Sequence, residues 1–143
     1  MGYTADLLGG LSALLADAGL GVYRPGGIYA DGETGIFHGV IPEGPDRAIC
    51  LTPYPVEDTD LTDTITGVQV RLRAGPETAS VLDLADGVFA ALHNRRALAF
   101  GSVRVALIWR QSQALLGQDP HGRTELAGNY YARTTRTAPH LID

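Results

Sequence analysis

"VQVRLRAGPETASVL", residues 68–82, is the stretch on which the fold turns. Val68, Val70 and Leu72 alternate with Gln69, Arg71 and Arg73, the period of a strand with one face in a core. Gly75-Pro76 ends that alternation, and the residues beyond it take up helical spacing. A strand leading into a helix is the joint of a helix-on-sheet architecture. One feature needs a physical reason: the outer face of this strand carries two arginines in a chain whose formal net charge is −5.

Working outward, the spacing predicts a helix from about Glu77 to Leu92 with Val81, Leu82, Ala85, Val88, Phe89 and Leu92 on its buried side. Residues 102–113 alternate again, with Val103, Val105, Leu107 and Trp109 facing one way and Arg104 and Arg110 the other. "GQDPHGR" (117–123) is a turn by its proline and glycines, and residues 124–136 make a last long strand. Toward the N-terminus, residues 4–18 place Leu7, Leu11, Leu14 and Ala18 on one helical stripe, flanked by Leu8 and Leu15. Thr4 is the expected N-cap and Gly19 the stop. Gly9-Gly10 inside this helix costs about 1 kcal/mol per glycine, so packing must hold it.

Between these parts, "GVYRP" (21–25) is a candidate short strand and "GGIYADGETG" (26–35) a loop. "IFHGVIP" (36–42) and "RAICLTPY" (47–54) are strands around the turn "EGPD", and "PVEDTDLTD" (55–63) is an acidic connection. The order is α-β-β-β-α-β-β. It predicts one α/β (α+β) domain over residues 1–143, a mixed and mostly antiparallel sheet of about five strands with two helices on one face. Turn-joined neighbours are expected to be antiparallel.

Composition excludes several classes. At 45% hydrophobic and 19% charged residues, the chain is folded rather than disordered. It has no run of 18 apolar residues for a transmembrane helix, and its N-terminus lacks the basic, apolar and cleavage regions of a signal peptide. The single Cys50 excludes an internal disulfide and fits a reducing compartment. Charge is uneven: residues 1–63 hold ten acids against Arg24 and Arg47, and residues 64–143 hold nine arginines against six acids. Copies with ends of opposite sign can associate head to tail. There is no dense basic stripe of the kind that binds nucleic acid.

No catalytic constellation emerges. His38, His93, His121 and His140 are scattered, and Cys50 sits between Ile49 and Leu51 as a buried, inert thiol. Glu57, Asp58, Asp60 and Asp63 offer oxygens to calcium, but the EF-hand spacing, glycine and terminal glutamate are absent, and a solvated loop is the plainer reading. "RPGGIYADGETG" lacks the lysine and the strand-to-helix setting of a phosphate loop. In "DPHGRTE" a β-turn with Arg123 and Glu125 paired across it is the simpler expectation. No metal and no cofactor is implied.

Two segments are more distinctive: "GVQVRLRAG" (67–75) followed by a helix ending "ALH", and "LGQDPHGRTELAGNY" (116–130). With the leucine-rich first helix, "IFHGVIP" and "ICLTPYPVED" in order, the chain resembles the tail-terminator (minor capsid) proteins of long-tailed bacteriophages, especially those of actinobacterial hosts. The resemblance implies a non-enzymatic virion protein made in the host cytoplasm. It implies a ring, typically hexameric, at the head-proximal end of the tail tube that ends polymerisation and offers a surface for head joining. Its partners would be further copies of itself, the tail tube protein and a head-completion or connector protein. Genomic DNA would pass through without sequence-specific binding, and no membrane is involved. A head-closure or connector role, or a small ligand-binding or enzymatic α/β domain, stays open as an alternative. On this reading Arg71, Arg73, Arg104 and Arg110 are candidates for a subunit or tail interface, with Asp58, Asp60 and Asp63 of the next copy as carboxylate partners. The competing expectation is a solvated sheet face.

Overall fold

The computed structural model describes residues 2–143. Its elements are α1 (Tyr3–Asp17), β1 (Thr34–His38), β2 (Arg47–Glu57), β3 (Asp63–Arg73), α2 (Thr78–Leu92), β4 (Arg96–Phe100), β5 (Val103–Gln118) and β6 (Thr124–Thr135). The strands form one mixed sheet of six in the order β1-β2-β3-β6-β5-β4, with both helices over one face. β3 is an interior strand of the sheet. It pairs with β2 on one side and with β6 on the other, both antiparallel.

The core lies between the helices and the inward face of the sheet. Leu7, Leu11 and Leu15 of α1 and Val81, Val88 and Leu92 of α2 meet Ile49, Leu51, Val68, Val70, Leu72, Leu126 and Tyr130. Burying each large side chain stabilises the fold by about 1.5–3 kcal/mol, so this layer outweighs the glycines in α1. Gly10 has a packing reason: a Cβ there would run into the Phe100 ring of β4. Gly9 faces open space.

Several expectations are corrected. α1 begins one residue before Thr4, its N-cap is Gly2, and no side chain caps it. Leu14 is only half-buried and Ala18 is exposed. On α2 the core contact falls to Leu84, and Leu82 turns outward at 37% exposure. Residues 21–25 contribute a single bridge, Val22 to Gly35, and no strand. Residues 96–100 form a sixth strand that alternation does not reveal, because Ala97 takes a positive φ of 54° and interrupts the period.

Two corrections bear on the arginines. β1 and β2 are parallel, so the connection 39–46 is a return loop crossing the end of the sheet and not a hairpin turn. β5 carries irregularities between Val105 and Leu107, Arg110 and Ser112, and Leu115 and Gly117. The first of these flips the parity of the strand. Ile108 enters the core beside Val103 and Val105, while Leu107 and Trp109 face away from the helices alongside Arg133 and Tyr131.

Candidate functional site

The return loop between β1 and β2 explains the arginine face. A loop laid against a sheet must find donors for its carbonyl oxygens. Arg73, only 2% exposed, supplies them: Nε donates to the Asp46 carbonyl at 3.0 Å, and Nη2 to those of Pro45 at 2.6 Å and Glu43 at 3.4 Å. Arg123 reaches the same loop from the β5–β6 turn, donating to the Glu43 carbonyl at 2.5 Å and to Asp46 Oδ1 at 3.1 Å. Burial and then the adjacent Arg123 charge lower the Arg73 pKa, but a guanidinium stays charged at any ordinary pH.

The turn itself is pinned by Asp119. Its carboxylate accepts from the backbone N–H of His121 and of Arg123, and from Arg123 Nε at 2.8 Å. Burial works against the charged form of Asp119, yet these hydrogen bonds outweigh it and hold its pKa below the usual value. Arg123 is therefore paired with Asp119 and Asp46, not with Glu125 as the turn sequence suggested. Glu125 is the carboxylate partner of Arg71. Arg71 and Arg73 thus meet groups of their own chain.

The remaining interface candidates separate. Arg110 lies on the helix side, with its guanidinium carbon 4.3 Å from the Phe89 ring centre and Nη1 donating to Gln113. Arg104 is exposed on the opposite face, in register with Thr135. The parity flip puts these two on different faces. Asp58, Asp60 and Asp63 are all exposed around the β2–β3 connection, and Asp58 accepts from the Thr64 hydroxyl at 2.7 Å. Among the described residues no group of three His, Cys, Asp or Glu side chains is placed to share a metal ion.

Two arrangements lie outside what the sequence pattern signals. A cleft of about 910 Å³ opens between the loops 24–33 and 41–47, lined by Ile28, Tyr29, Phe37, Pro42 and Asp46. Its outer wall is a clasped loop: Arg24 pairs with Glu33 at 3.0 Å, and Glu33 also accepts from the Ala30 N–H at 2.6 Å. Those hydrogen bonds, the Arg24 one foremost, lower the Glu33 pKa to about 2. The clasp presents Ile28 at 89% exposure. Elsewhere the fully buried Ser12 of α1 meets His38 of β1, Oγ to Nε2, at 2.7 Å, with Tyr23 stacked on the imidazole at 4.7 Å. Burial lowers the His38 pKa. The residue facing its other ring nitrogen is the Tyr23 hydroxyl at 3.5 Å, so no carboxylate orients this pair as an acyl-transfer base. Cys50 is 2% exposed, and burial raises its pKa, which disfavours the thiolate.

The fold itself has a counterpart among solved structures. A chain from the virion of a native gene transfer agent (GTA) particle superposes with a TM-score of 0.56 at 14% identity, covering 87% of this chain and 84% of that one. At that identity the likeness is one of architecture: two helices on a mixed sheet. Residues 14–136 match the family model described as bacteriophage tail terminator protein, and the chain belongs to that family. Its role is accordingly a structural one in the phage tail. A comparison with curated proteins finds no match.

Proposed function

We infer that this protein closes the head-proximal end of the tail tube as a ring of identical copies, a hexamer, acting through residues 1–143 as one unit. The ring stops tube polymerisation and presents the surface to which the head joins through a connector. It works without catalysis, is made in the host cytoplasm, and lets the genome pass without reading its sequence. The observation that carries this reading is the match of residues 14–136 to the tail terminator family. The structure is compatible with it in one physical respect. Its buried arginines and carboxylates are engaged with groups of their own chain, and the remaining charges lie on the surface, where an assembly contact can use them.

The test is electron microscopy of lysates from phage lacking this protein. Tails should be of irregular, excess length and unattached to heads, and supplying the protein in trans should restore both length and joining. Tails of normal length already joined to heads would remove the proposal.

A further inference from the structure

The face of the sheet away from the helices carries a basic corner whose charges have no carboxylate partner. Arg96 of β4 and Arg133 of β6 flank Leu107 of β5 in direct register, Arg96 to Leu107 and Leu107 to Arg133. Arg104 pairs with Thr135, two residues along β6 from Arg133. Direct neighbours across a sheet have backbones about 5 Å apart and diagonal ones about 7–8 Å, so three arginines leave the sheet around one half-buried leucine. All three arginines are exposed. None takes part in an ion pair among the described residues, whereas Arg24, Arg71 and Arg123 all do. Arg96 donates only to the Asn94 side chain, at 3.1 Å. Asp63 is the nearest acid by register, diagonal to Arg133 across β3 and β6, and it makes no ion pair with it.

A surface of opposite character lies on the other half of the sheet, where β2 turns into β3. The β2–β3 connection exposes Glu57, Asp58 and Asp60 around Leu61, which is 45% exposed. The C-terminal segment lies against it and adds Ile142, 58% exposed, and Asp143. Arg136 stands at its base, and that side chain is laid over the Tyr3 ring at 4.5 Å. One surface is thus an apolar centre with a basic rim, and the other an apolar centre with an acidic rim. An apolar centre with a charged rim is the anatomy of a protein interface. Strands β3, β6 and β5 separate Arg96 on β4 from the β2–β3 connection. Glu57 and Arg133 flank Ile65 of β3 in direct register, one strand to either side, and no ion pair joins them among the described residues.

We propose that Arg96, Arg104 and Arg133 of one copy receive the Glu57–Leu61 connection of the next, a head-to-tail contact between copies of this chain. The proposal rests on the ring reading and names the surface by which the ring closes. Repeated around an axis, such a heterologous contact closes a ring, and the same operation without closure makes a filament. β4 suits contact through side chains more than strand addition, because it is short and interrupted at Ala97. The arginine forks meet carboxylates bidentately, and both sites start exposed, so charge sets partner and register.

The experiment uses the full-length protein in three versions, each followed by sedimentation and by recruitment to purified tail tubes. Arg96→Glu with Arg133→Glu reverses the corner, Glu57→Arg with Asp60→Arg reverses the connection, and the fourfold variant carries both. Each double variant should keep the circular dichroism of the parent and weaken assembly by about tenfold or more, and the fourfold variant should recover it. Parent assembly should also weaken as salt is raised. Double variants that assemble like the parent would overturn the contact while leaving the ring standing. So would a corner variant that assembles normally but loses retention of DNA, since the arginines would then face the genome. A parent chain that neither assembles nor binds tubes would remove the ring reading, and the contact with it.

Discussion

At the scale of single residues, arginines of one strand do different physical work from arginines of the next. Arg73 is a donor cluster for the carbonyls of the 43–46 loop, and Arg71 neutralises the buried Glu125. Arg104 has no such debt to the fold, being exposed and without a hydrogen-bonding partner among the described residues. Arg73→Ala should therefore cost about 3 kcal/mol of folding stability, the upper range for losing the charge-assisted hydrogen bonds of a buried guanidinium. Arg104→Ala should change it by less than about 0.5 kcal/mol. Urea unfolding of both variants checks the contrast, and equal losses would contradict it. Nothing in "VQVRLRAG" separates these roles, because parity says which face a side chain leaves from and not what lies there.

Among the elements, α1 offers the sharpest comparison. Its adjacent glycines look equivalent, and helix propensity favours alanine at either by about 1 kcal/mol. Gly9→Ala meets nothing and should stabilise the protein by about that amount. At Gly10 the new methyl runs into the Phe100 ring, and overpacking costs of about 1–3 kcal/mol should reverse the sign. Thermal unfolding should move up for one variant and down for its neighbour, and a rise for both would show that Phe100 can move aside. The helix was legible from its leucine spacing, as were β3, α2 and β6. The β4 strand was not, since Ala97 breaks its alternation, and the inward set of β5 was mistaken past Val105, since an extra residue in the ladder shifts the parity of everything beyond it.

For the molecule as a whole, the last segment ties the chain end to the acidic connection. Arg136 N–H donates to the Thr62 carbonyl at 2.8 Å, Thr62 N–H to that of Ile142 at 2.9 Å, and Ile142 N–H to that of Asp60 at 2.8 Å. The sheet does not depend on this strap, because β3 and β6 pair along their full lengths without it. A chain ending at Arg136 should stay folded, lose about 1–3 kcal/mol, and exchange the Thr62 amide much faster while Val70 stays protected. Hydrogen exchange resolved by residue measures this, and unchanged protection at Thr62 would show that the strap contributes nothing. If the acidic connection is the docking element, the shortened chain should also assemble more weakly, since a looser element pays more ordering entropy on binding.

Local periodicity, by itself, determined that two helices would lie on one face of a mixed sheet and that residues 64–74 would be one of its strands. Those features follow from short-range spacing of apolar residues, which one stretch of chain records completely. The sequence also carries a charge asymmetry and, in its distinctive segments taken in order, a resemblance to tail terminators that the family match bears out. Only the tertiary structure decided where each charge is used. The parallel return from β1 to β2 turned the outward Arg73 into a loop anchor, and the bulge in β5 put Arg104 and Arg110 on opposite faces. Ser12 found His38, and Arg96 came beside Arg133, across long stretches of chain. Such pairings depend on strand order and register, which arise from contacts between distant segments, and a pattern read along the chain carries no record of them.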